Sequence, residues 1–282
     1  TEPLKCGMVQ YAAFLHRKES AMFADYHLHT SFSDDSRTPM EDMVLRAIHL
    51  GLDEVCFTEH VDHGIKTVLN CDYAAYFAEA ARLQEKYAGR IVIRRGIEFG
   101  VQTGTARQFR ADFDQWPFDF VILSNHQVDG REFWNQEFQK GKTQEEFQTA
   151  YYQAILDVME VYSAYSVLGH LDMIKRYDRC GDYPDEKILP LVEKILRKAI
   201  AESRGIELNT SCFKYGLKDL TPSRRILELY RDLGGRVLTL GSDSHETEHL
   251  ADRFGEARRE LRRIGFRELC TFRRMEPVFH PL

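Results

Sequence analysis

The sequence predicts an α/β protein in which successive βα units close into one barrel. Short apolar runs alternate along the chain with longer segments of helical period, a pattern typical of repeated βα units. The length of 282 residues suits a single α/β barrel, a fold of roughly 250 residues. No internal repeat or low-complexity linker divides the chain, so we expect one domain.

Seven short apolar runs are predicted to form the strands. Each is between four and eight residues long and is bounded by polar or turn-forming residues, which is typical of buried parallel strands. In chain order they cover residues 22–27, 54–58, 91–98, 118–124, 166–170, 205–209 and 236–241.

Segments of helical period lie between these runs. Pro39 stands near the start of the first helix, and Thr221 is the expected N-cap of a later one. The stretch 100–117 is less regular, so this crossover should be irregular or hold only a short helix. The predicted helices cover residues 38–51, 73–87, 143–162, 187–203, 222–233 and 249–264.

The chain ahead of the first strand carries no motif that suggests chemistry. We expect residues 1–21 to form an extension of uncertain order without a catalytic role, and residues 22–282 to form a single barrel domain. The leading segment makes a poor signal peptide, because Gln10 and Tyr11 interrupt its short apolar stretch.

Charge and composition favour a small-molecule partner. Hydrophobic residues make up 43% of the chain, enough for a sizeable core, and the formal net charge is −6 at pH 7. Nucleic-acid binding depends on clustered Lys and Arg, so this balance argues against it. No apolar stretch approaches the ~20 residues that span a bilayer. We expect a cytoplasmic protein that binds neither nucleic acid nor a membrane, and the oligomeric state is left open.

Cysteine spacing gives no sign of a disulfide framework or of a zinc ribbon. The six cysteines are widely scattered and form no C-x-x-C pair. Free thiols are therefore expected, which agrees with the predicted cytoplasmic location. They are Cys6, Cys56, Cys71, Cys180, Cys212 and Cys270.

Histidines and carboxylates stand where six of the predicted strands end. Because the carboxyl ends of parallel barrel strands meet on one face, these side chains should share one basin. Burying so many polar groups without hydrogen-bond partners would cost on the order of several kcal/mol in total. Bound metal ions explain the pattern best. The residues are His27, His29, His60, Glu98, His126, His170, Asp243 and His245.

The pair formed by His27 and His29 suggests how one ion is bound. Residues i and i+2 of a strand point to the same face, so both imidazoles can reach one metal. Glu98 and Asp243 supply oxygens that can bridge or neutralise ions, which favours a multinuclear site. Mixed nitrogen and oxygen ligands suit Zn, Mn or Fe better than Ca or Mg.

These motifs resemble the PHP (polymerase and histidinol phosphatase) superfamily. Longer runs at 32–36, 124–130 and 169–177 are similar to its histidinol-phosphatase branch. The shared motifs are H-x-H at 27–29, T-E-H at 58–60, a strand-end glutamate at 98, S-N-H at 124–126, G-H-L-D at 169–172 and G-S-D-S-H at 241–245.

The resemblance implies a distorted seven-stranded (β/α)7 TIM-like barrel with three divalent metal ions. Glu98 would bridge the first two. The acidic Asp35 stands where some relatives carry histidine. The implied ligand sets are His27, His29, Glu98 and Asp243 for the first metal, Glu98, His126 and His170 for the second, and Asp35, His60 and His245 for the third.

The implied activity is hydrolysis of a phosphomonoester, L-histidinol phosphate, as in histidine biosynthesis. Arg176 and Lys214 match positions that contact phosphate, although the branch usually carries arginine at the second, and lysine cannot form a bidentate fork. A hydroxide bridging the first two metals would attack phosphorus. Glu98, Asp243, Arg176 and His245 are the expected catalytic residues.

Some roles stay open at this stage. The general acid is His245 or a metal-bound water, with His63 a weaker candidate. Asp25 and Asp172 either orient the nearby His27 and His170 or serve as caps and ion-pair partners. A substrate ammonium would meet one of three acidic residues, Asp129, Asp178 or Glu59.

Three other functions fit the same motifs. The enzyme could act on another small phosphate ester, because the metals set the reaction class and not the leaving group. A PHP nuclease should show a basic groove, and a non-catalytic binding domain should lack ligands. Neither feature is visible in the sequence.

Overall fold

Seven parallel strands form a nearly closed barrel with helices alternating along the chain. The structure, a computed structural model, describes residues 22–65 and 70–282. The predicted extension over residues 1–21 lies outside the described residues. The predicted distorted (β/α)7 barrel is confirmed.

In chain order the strands are β1 (Ala24–Leu28), β2 (Glu54–Phe57), β3 (His60–Val61), β4 (Val92–Gly100), β5 (Phe120–Ser124), β6 (Gln127–Val128), β7 (Arg131–Glu132), β8 (Val167–Leu168), β9 (Gly205–Asn209), β10 (Leu238–Gly241), β11 (Glu268–Arg273) and β12 (Glu276–Pro281). Neighbouring barrel strands follow one another in the order β1-β2-β4-β5-β8-β9-β10.

Helices lie between the barrel strands, and 3-10 turns cover Thr103–Thr105, Met173–Tyr177 and Thr247–His249. No helix in the described part of the chain is long and apolar enough to cross a membrane. The α-helices are α1 (Met40–Leu50), α2 (Tyr73–Lys86), α3 (Ala106–Gln115), α4 (Gln144–Val161), α5 (Asp185–Ala201), α6 (Ser211–Lys214), α7 (Arg224–Asp232) and α8 (Phe254–Ile264).

The barrel closes between its first and last strands at their carboxyl ends. The backbone N–H of Asp243 donates to the carbonyl of His27 at 2.9 Å, and the N–H of His29 donates to the carbonyl of Ser244 at 2.8 Å. These two bonds join the H-x-H and G-S-D-S-H motifs directly. The closure of the barrel therefore also sets the geometry of the predicted metal site.

Three elements differ from the sequence prediction. The irregular crossover holds a regular ten-residue helix, α3. The last helix begins at Phe254 and not at residue 249, because Ala251 and Arg253 have positive φ values of 54° and 58° that a right-handed helix does not allow. Thr221 is not the cap of α7, because the Ser223 hydroxyl accepts from the Ile226 N–H at 3.4 Å.

A hairpin of β11 and β12, which the sequence reading does not predict, packs against the barrel. Cys270 and Phe272 of β11 belong to a buried cluster with Tyr26 and Phe120 from inside the barrel. The Tyr26 hydroxyl also accepts from the backbone N–H of Phe272 at 2.7 Å. The hairpin thus supplies core contacts that seven strands alone would lack.

Close packing of β9 on the chain beside it gives a test of this arrangement. A Cβ atom at Gly205 would lie 1.9 Å from the carbonyl oxygen of Val237, whereas one at Gly104 would meet nothing within 4 Å. We expect Gly205→Ala to lower the free energy of unfolding by about 1–3 kcal/mol or more, as overpacking does. Urea unfolding of both variants is the measurement. Equal effects of Gly104→Ala and Gly205→Ala would contradict the close approach of β9 to Val237.

Candidate metal centre

The nine predicted metal ligands lie together at the carboxyl end of the barrel. Each is delivered by a strand end or by the loop that follows it, as expected for a parallel barrel. Ligand atoms of eight of the nine, all except Asp35, form four overlapping groups, each with all atoms within 4.8 Å of one another. The groups are His29, His60 and His245; His27, His29 and Asp243; His27, Glu98 and His170; and His60, Glu98 and His126.

Glu98 stands at the centre of the site. It is fully buried on β4, and the hydroxyl of Ser124 donates to its Oε1 at 2.5 Å. Both carboxylate oxygens contact imidazole nitrogens from four different parts of the barrel. Oε2 lies 3.1 Å from His27 Nε2 and 3.0 Å from His60 Nδ1, and Oε1 lies 3.1 Å from His126 Nε2 and 2.8 Å from His170 Nε2.

Asp243 forms a second focus beside Glu98. Its Oδ1 lies 3.7 Å from His27 Nε2 and 3.5 Å from His29 Nε2, and His29 Nε2 is itself 3.4 Å from Glu98 Oε2. Asp243 has a φ of 55°, a left-handed conformation that non-glycine residues rarely adopt. The strained backbone turns this carboxylate toward His27 of β1 and His29 just after it.

Asp35 forms the outer focus, at the rim of the site. Its Oδ2 lies 3.1 Å from His245 Nε2 and 3.5 Å from His60 Nε2, and its side chain is 47% exposed. The ring of His29 is nearly parallel to those of His60 and His245, with centroids 4.1 and 4.3 Å away. A continuous set of ligand atoms therefore runs from the buried Glu98 to the rim.

The carboxylates and imidazoles perturb one another strongly. Burial alone would raise the pKa of Glu98, but the charges of His27 and His60 outweigh it and hold the pKa well below its usual value. Asp243 behaves in the same way, with His27 the main opposing charge. At His29, burial and the nearby charges of His60 and His245 lower the pKa well below 6.5.

These observations fit divalent metal ions. His29 Nε2 and His60 Nδ1 are buried and lie 3.4 and 3.0 Å from Glu98 Oε2, yet neither forms a hydrogen bond of acceptable geometry within the described ranges. Orphaned buried nitrogens are costly, and a bound cation would satisfy those that face the site. Imidazole nitrogens and carboxylate oxygens at this spacing are ligands that first-row divalent metals accept.

Arg176 reaches the same site. Its side chain is only 5% exposed, with Nη2 3.6 Å from Asp243 Oδ2 and donating to the Ser211 hydroxyl at 2.7 Å. The Tyr215 ring covers the guanidinium at 4.1 Å, and Nε has no hydrogen-bond partner among residues 22–65 and 70–282. Arg176 thus keeps its Nε donor available beside the predicted metal ligands. Lys214 lies instead at the exposed end of α6.

The two aspartates with open roles contact backbone and cations, and no histidine ring among the described residues. Asp25 accepts from the N–H groups of His27, Ser242 and Ala251 at 3.3, 3.0 and 2.9 Å. Asp172 accepts from the Ser223 N–H and from Lys175, both at 3.0 Å. These contacts support the role as cap or ion-pair partner for both aspartates, and not the orientation of the His27 and His170 rings.

The remaining candidates are engaged elsewhere or lie outside the cluster. His63 Nε2 pairs with Asp112 at 2.6 Å. Glu59 is fully buried and accepts from Thr30 and Ser33, so it braces the loop after β1 and cannot meet a substrate ammonium. Asp178 accepts from two glutamine side chains, and Asp129 lines a cavity beside the β6–β7 hairpin.

Two carboxylates at the site were missed by the sequence reading. Glu207, on β9, lies 2.8 Å from His27 Nδ1, and Asp62 lies 2.9 Å from His126 Nδ1. Neither belongs to a motif with regular spacing. A lone charged residue between Ile206 and Leu208 in a buried strand was the available signal for Glu207.

Comparison with known proteins agrees with this geometry. A model of the PHP domain matches residues 25–211. The chain is 35% identical over 266 residues to a histidinol-phosphatase from Lactococcus lactis, with 89% of this chain and 95% of the relative covered. It is 30% identical over 249 residues to a probable histidinol-phosphatase from Thermotoga maritima, with 88% and 94% covered.

A solved structure extends the comparison to three dimensions. It is the crystal structure of histidinol phosphate phosphatase from Lactococcus lactis, complexed with zinc, L-histidinol and phosphate. The TM-score is 0.84 at 33% sequence identity, and the match covers 92% of this chain and all of that one. The similarity therefore spans the whole barrel.

The central position of Glu98 gives a test of the metal centre. Glu98→Gln removes the charge that faces four imidazoles while keeping the shape, so we expect zinc affinity to fall by at least ~100-fold, beyond the loss usual for outer contacts. The measurement is zinc titration of metal-free protein against a chromophoric chelator. Glu246→Gln, at a rim residue that is 64% exposed, is the control. Equal affinities for the two variants would show that Glu98 does not bind metal.

Proposed function

The chain belongs to the PHP domain family, and from that premise we propose that it is a metal-dependent phosphomonoesterase that hydrolyses L-histidinol phosphate to L-histidinol and phosphate. This is a step of histidine biosynthesis. Support comes from 35% identity along nearly the full length of a histidinol-phosphatase, and from a structural relative that holds zinc, L-histidinol and phosphate.

One observation carries the proposal. A buried arginine with an unused donor stands beside a cluster of histidines and carboxylates that fits divalent metals. A phosphate ester needs both positive charge and an activated water. When bound, divalent metals neutralise the charge of the phosphate dianion and lower the pKa of water toward neutrality.

We assign the ligands to three ions, each Zn, Mn or Fe, on the basis of the contacts around the three carboxylates. Glu98 would be shared by the first two ions because its Oε2 faces His27 and His29 and its Oε1 faces His126 and His170. The proposed sets are His27, His29, Glu98 and Asp243; Glu98, His126 and His170; and Asp35, His60 and His245.

The residues of the chain then have distinct tasks. Arg176 binds phosphate oxygens through the donors that Ser211 leaves free, and Tyr215 holds its guanidinium plane in place. Lys214, at the exposed end of α6, would have to reach toward the site to supply a second positive charge. The departing alkoxide takes a proton from water at the site, because His245 serves as a ligand of the third ion in this assignment.

The substrate test is release of inorganic phosphate by metal-reconstituted protein, with and without chelator. L-histidinol phosphate is compared with sugar phosphates and nucleoside monophosphates. We expect histidinol phosphate to be hydrolysed far faster than the other esters, and chelator to abolish the activity. Comparable rates for the panel would leave the reaction class standing and remove the substrate assignment. Absence of metal-dependent phosphate release from any ester would remove both.

A variant tests the task of Arg176. Arg176→Lys keeps the charge and loses the planar fork that binds phosphate in two places. We expect kcat/KM to fall by about 100-fold, the scale of losing one donor to a developing charge, with metal content unchanged. Steady-state kinetics with Arg179→Lys, an exposed neighbour, as control is the measurement. Wild-type kcat/KM in Arg176→Lys would exclude a bidentate phosphate contact.

A further inference from the structure

We propose that Glu207 is a positioning residue of the metal centre, which holds the His27 ring and the His170 backbone so that both Nε2 atoms face Glu98. The inference rests on the proposed function in that it takes His27 and His170 as metal ligands. It adds a residue on the one barrel strand, β9, to which no ligand is assigned.

The location of Glu207 is unusual for a carboxylate. Its side chain is 1% exposed and lies inside the barrel. The other side chains of β9 are those of Ile206, Leu208 and Asn209. No arginine or lysine pairs with it among the described residues, and an unpaired buried carboxylate is costly. Its stabilising contacts must therefore come from the site itself.

The first of these contacts is with His27. Nδ1 of His27 lies 2.8 Å from Oε2 and 3.1 Å from Oε1 of Glu207. A carboxylate can only accept, so the ring carries a proton on Nδ1, and a metal ion bound between the ring and Glu98 would take the Nε2 lone pair. That Nε2 points at Glu98, 3.1 Å away, which is the orientation a metal ligand needs.

The second contact is with the backbone of His170. Its N–H donates to Glu207 Oε1 at 2.7 Å, and the residue has a φ of 22°, outside the regions that side-chain-bearing residues favour. The hydrogen bond holds the chain in this conformation. Asn209 Nδ2 also donates to Oε1 at 2.9 Å, which fixes the carboxylate in turn.

Space for this carboxylate depends on Gly241. A Cβ at Gly241 would lie 2.8 Å from Glu207 Oε2 and 2.4 Å from His27 Cβ. Strand β10 thus approaches the carboxylate more closely than any side chain would allow, which marks a built position for it.

Glu207 does not act as a ligand itself in this account. No group of potential metal ligands found in residues 22–65 and 70–282 includes it, and it contacts the side of the His27 ring away from Glu98. Its effect reaches the metals only through His27 and His170. Removing it should loosen the ligands while leaving their number unchanged.

The test compares two buried glutamates. Glu207→Gln keeps size but can no longer hold Nδ1–H with a full charge, so we expect zinc affinity to fall by about 10- to 100-fold, the range for outer contacts of metal ligands. The control is Glu54→Gln, a buried glutamate that contacts Tyr26 and Arg94 and no predicted ligand. Its zinc affinity should stay at the wild-type value even where stability falls.

Three readouts separate positioning from a merely structural role. They are zinc affinity by chelator competition, the absorption spectrum of cobalt-substituted protein, which reports ligand geometry, and urea unfolding of the metal-free protein. We expect Glu207→Gln to weaken zinc binding and to change the cobalt spectrum. Wild-type affinity and spectrum in a folded Glu207→Gln variant would overturn the proposal, whatever happens to its stability.

Two further outcomes are decisive. If Glu207→Gln does not fold, Glu207→Asp replaces it, because the shorter side chain keeps the charge but moves it from His27, and the same loss of affinity is expected. If wild-type protein binds zinc tightly but does not hydrolyse histidinol phosphate, the substrate assignment fails while the metal-binding comparison at Glu207 still decides the present proposal.

Discussion

The structure depends above all on one buried carboxylate. Glu98 lies inside the barrel within 3.1 Å of nitrogens from four imidazoles, which arrive from separate strands and loops. A buried charge of this kind is stable only when it is fully paired or coordinates metal. The positions of the four surrounding histidines, and hence of the strands that carry them, are therefore constrained jointly. The site is part of what holds the carboxyl end of the barrel together.

Backbone strain is concentrated at the same place. His170 and Asp243 both have positive φ values, and the backbone bonds that close the barrel involve His27 and Asp243 themselves. Strained residues persist only where their surroundings over-determine them, and they gather at functional sites. The opposite part of the barrel has an apolar filling, in which Phe272 of the added hairpin packs against Tyr26. Apolar packing at the hairpin thus adds to the stability that the contacts of the site give to the carboxyl end.

Much of the fold and of the candidate site could be predicted from the sequence. Alternation along a strand places His27 and His29 on one face, and the barrel brings all strand ends together, so motif position alone predicts the cluster. Glu207 escaped prediction because a lone carboxylate in a strand has no spacing to mark it. The predicted start of α8 was wrong because residues with a left-handed backbone conformation carry no sequence signal here. The terminal hairpin of β11 and β12 was not predicted. Asp172 belongs to the G-H-L-D motif yet pairs with Lys175, which only the folded structure reveals.

The most direct measurement of the central claim is anomalous diffraction at the zinc edge from crystals of the chain grown with zinc and phosphate. Two anomalous peaks are expected on either side of the Glu98 carboxylate, about 3.5–4 Å apart, with a third between Asp35 and His245. Density for phosphate should contact Arg176. A single peak remote from Glu98, or an ordered site with no anomalous peak at all, would contradict the claim.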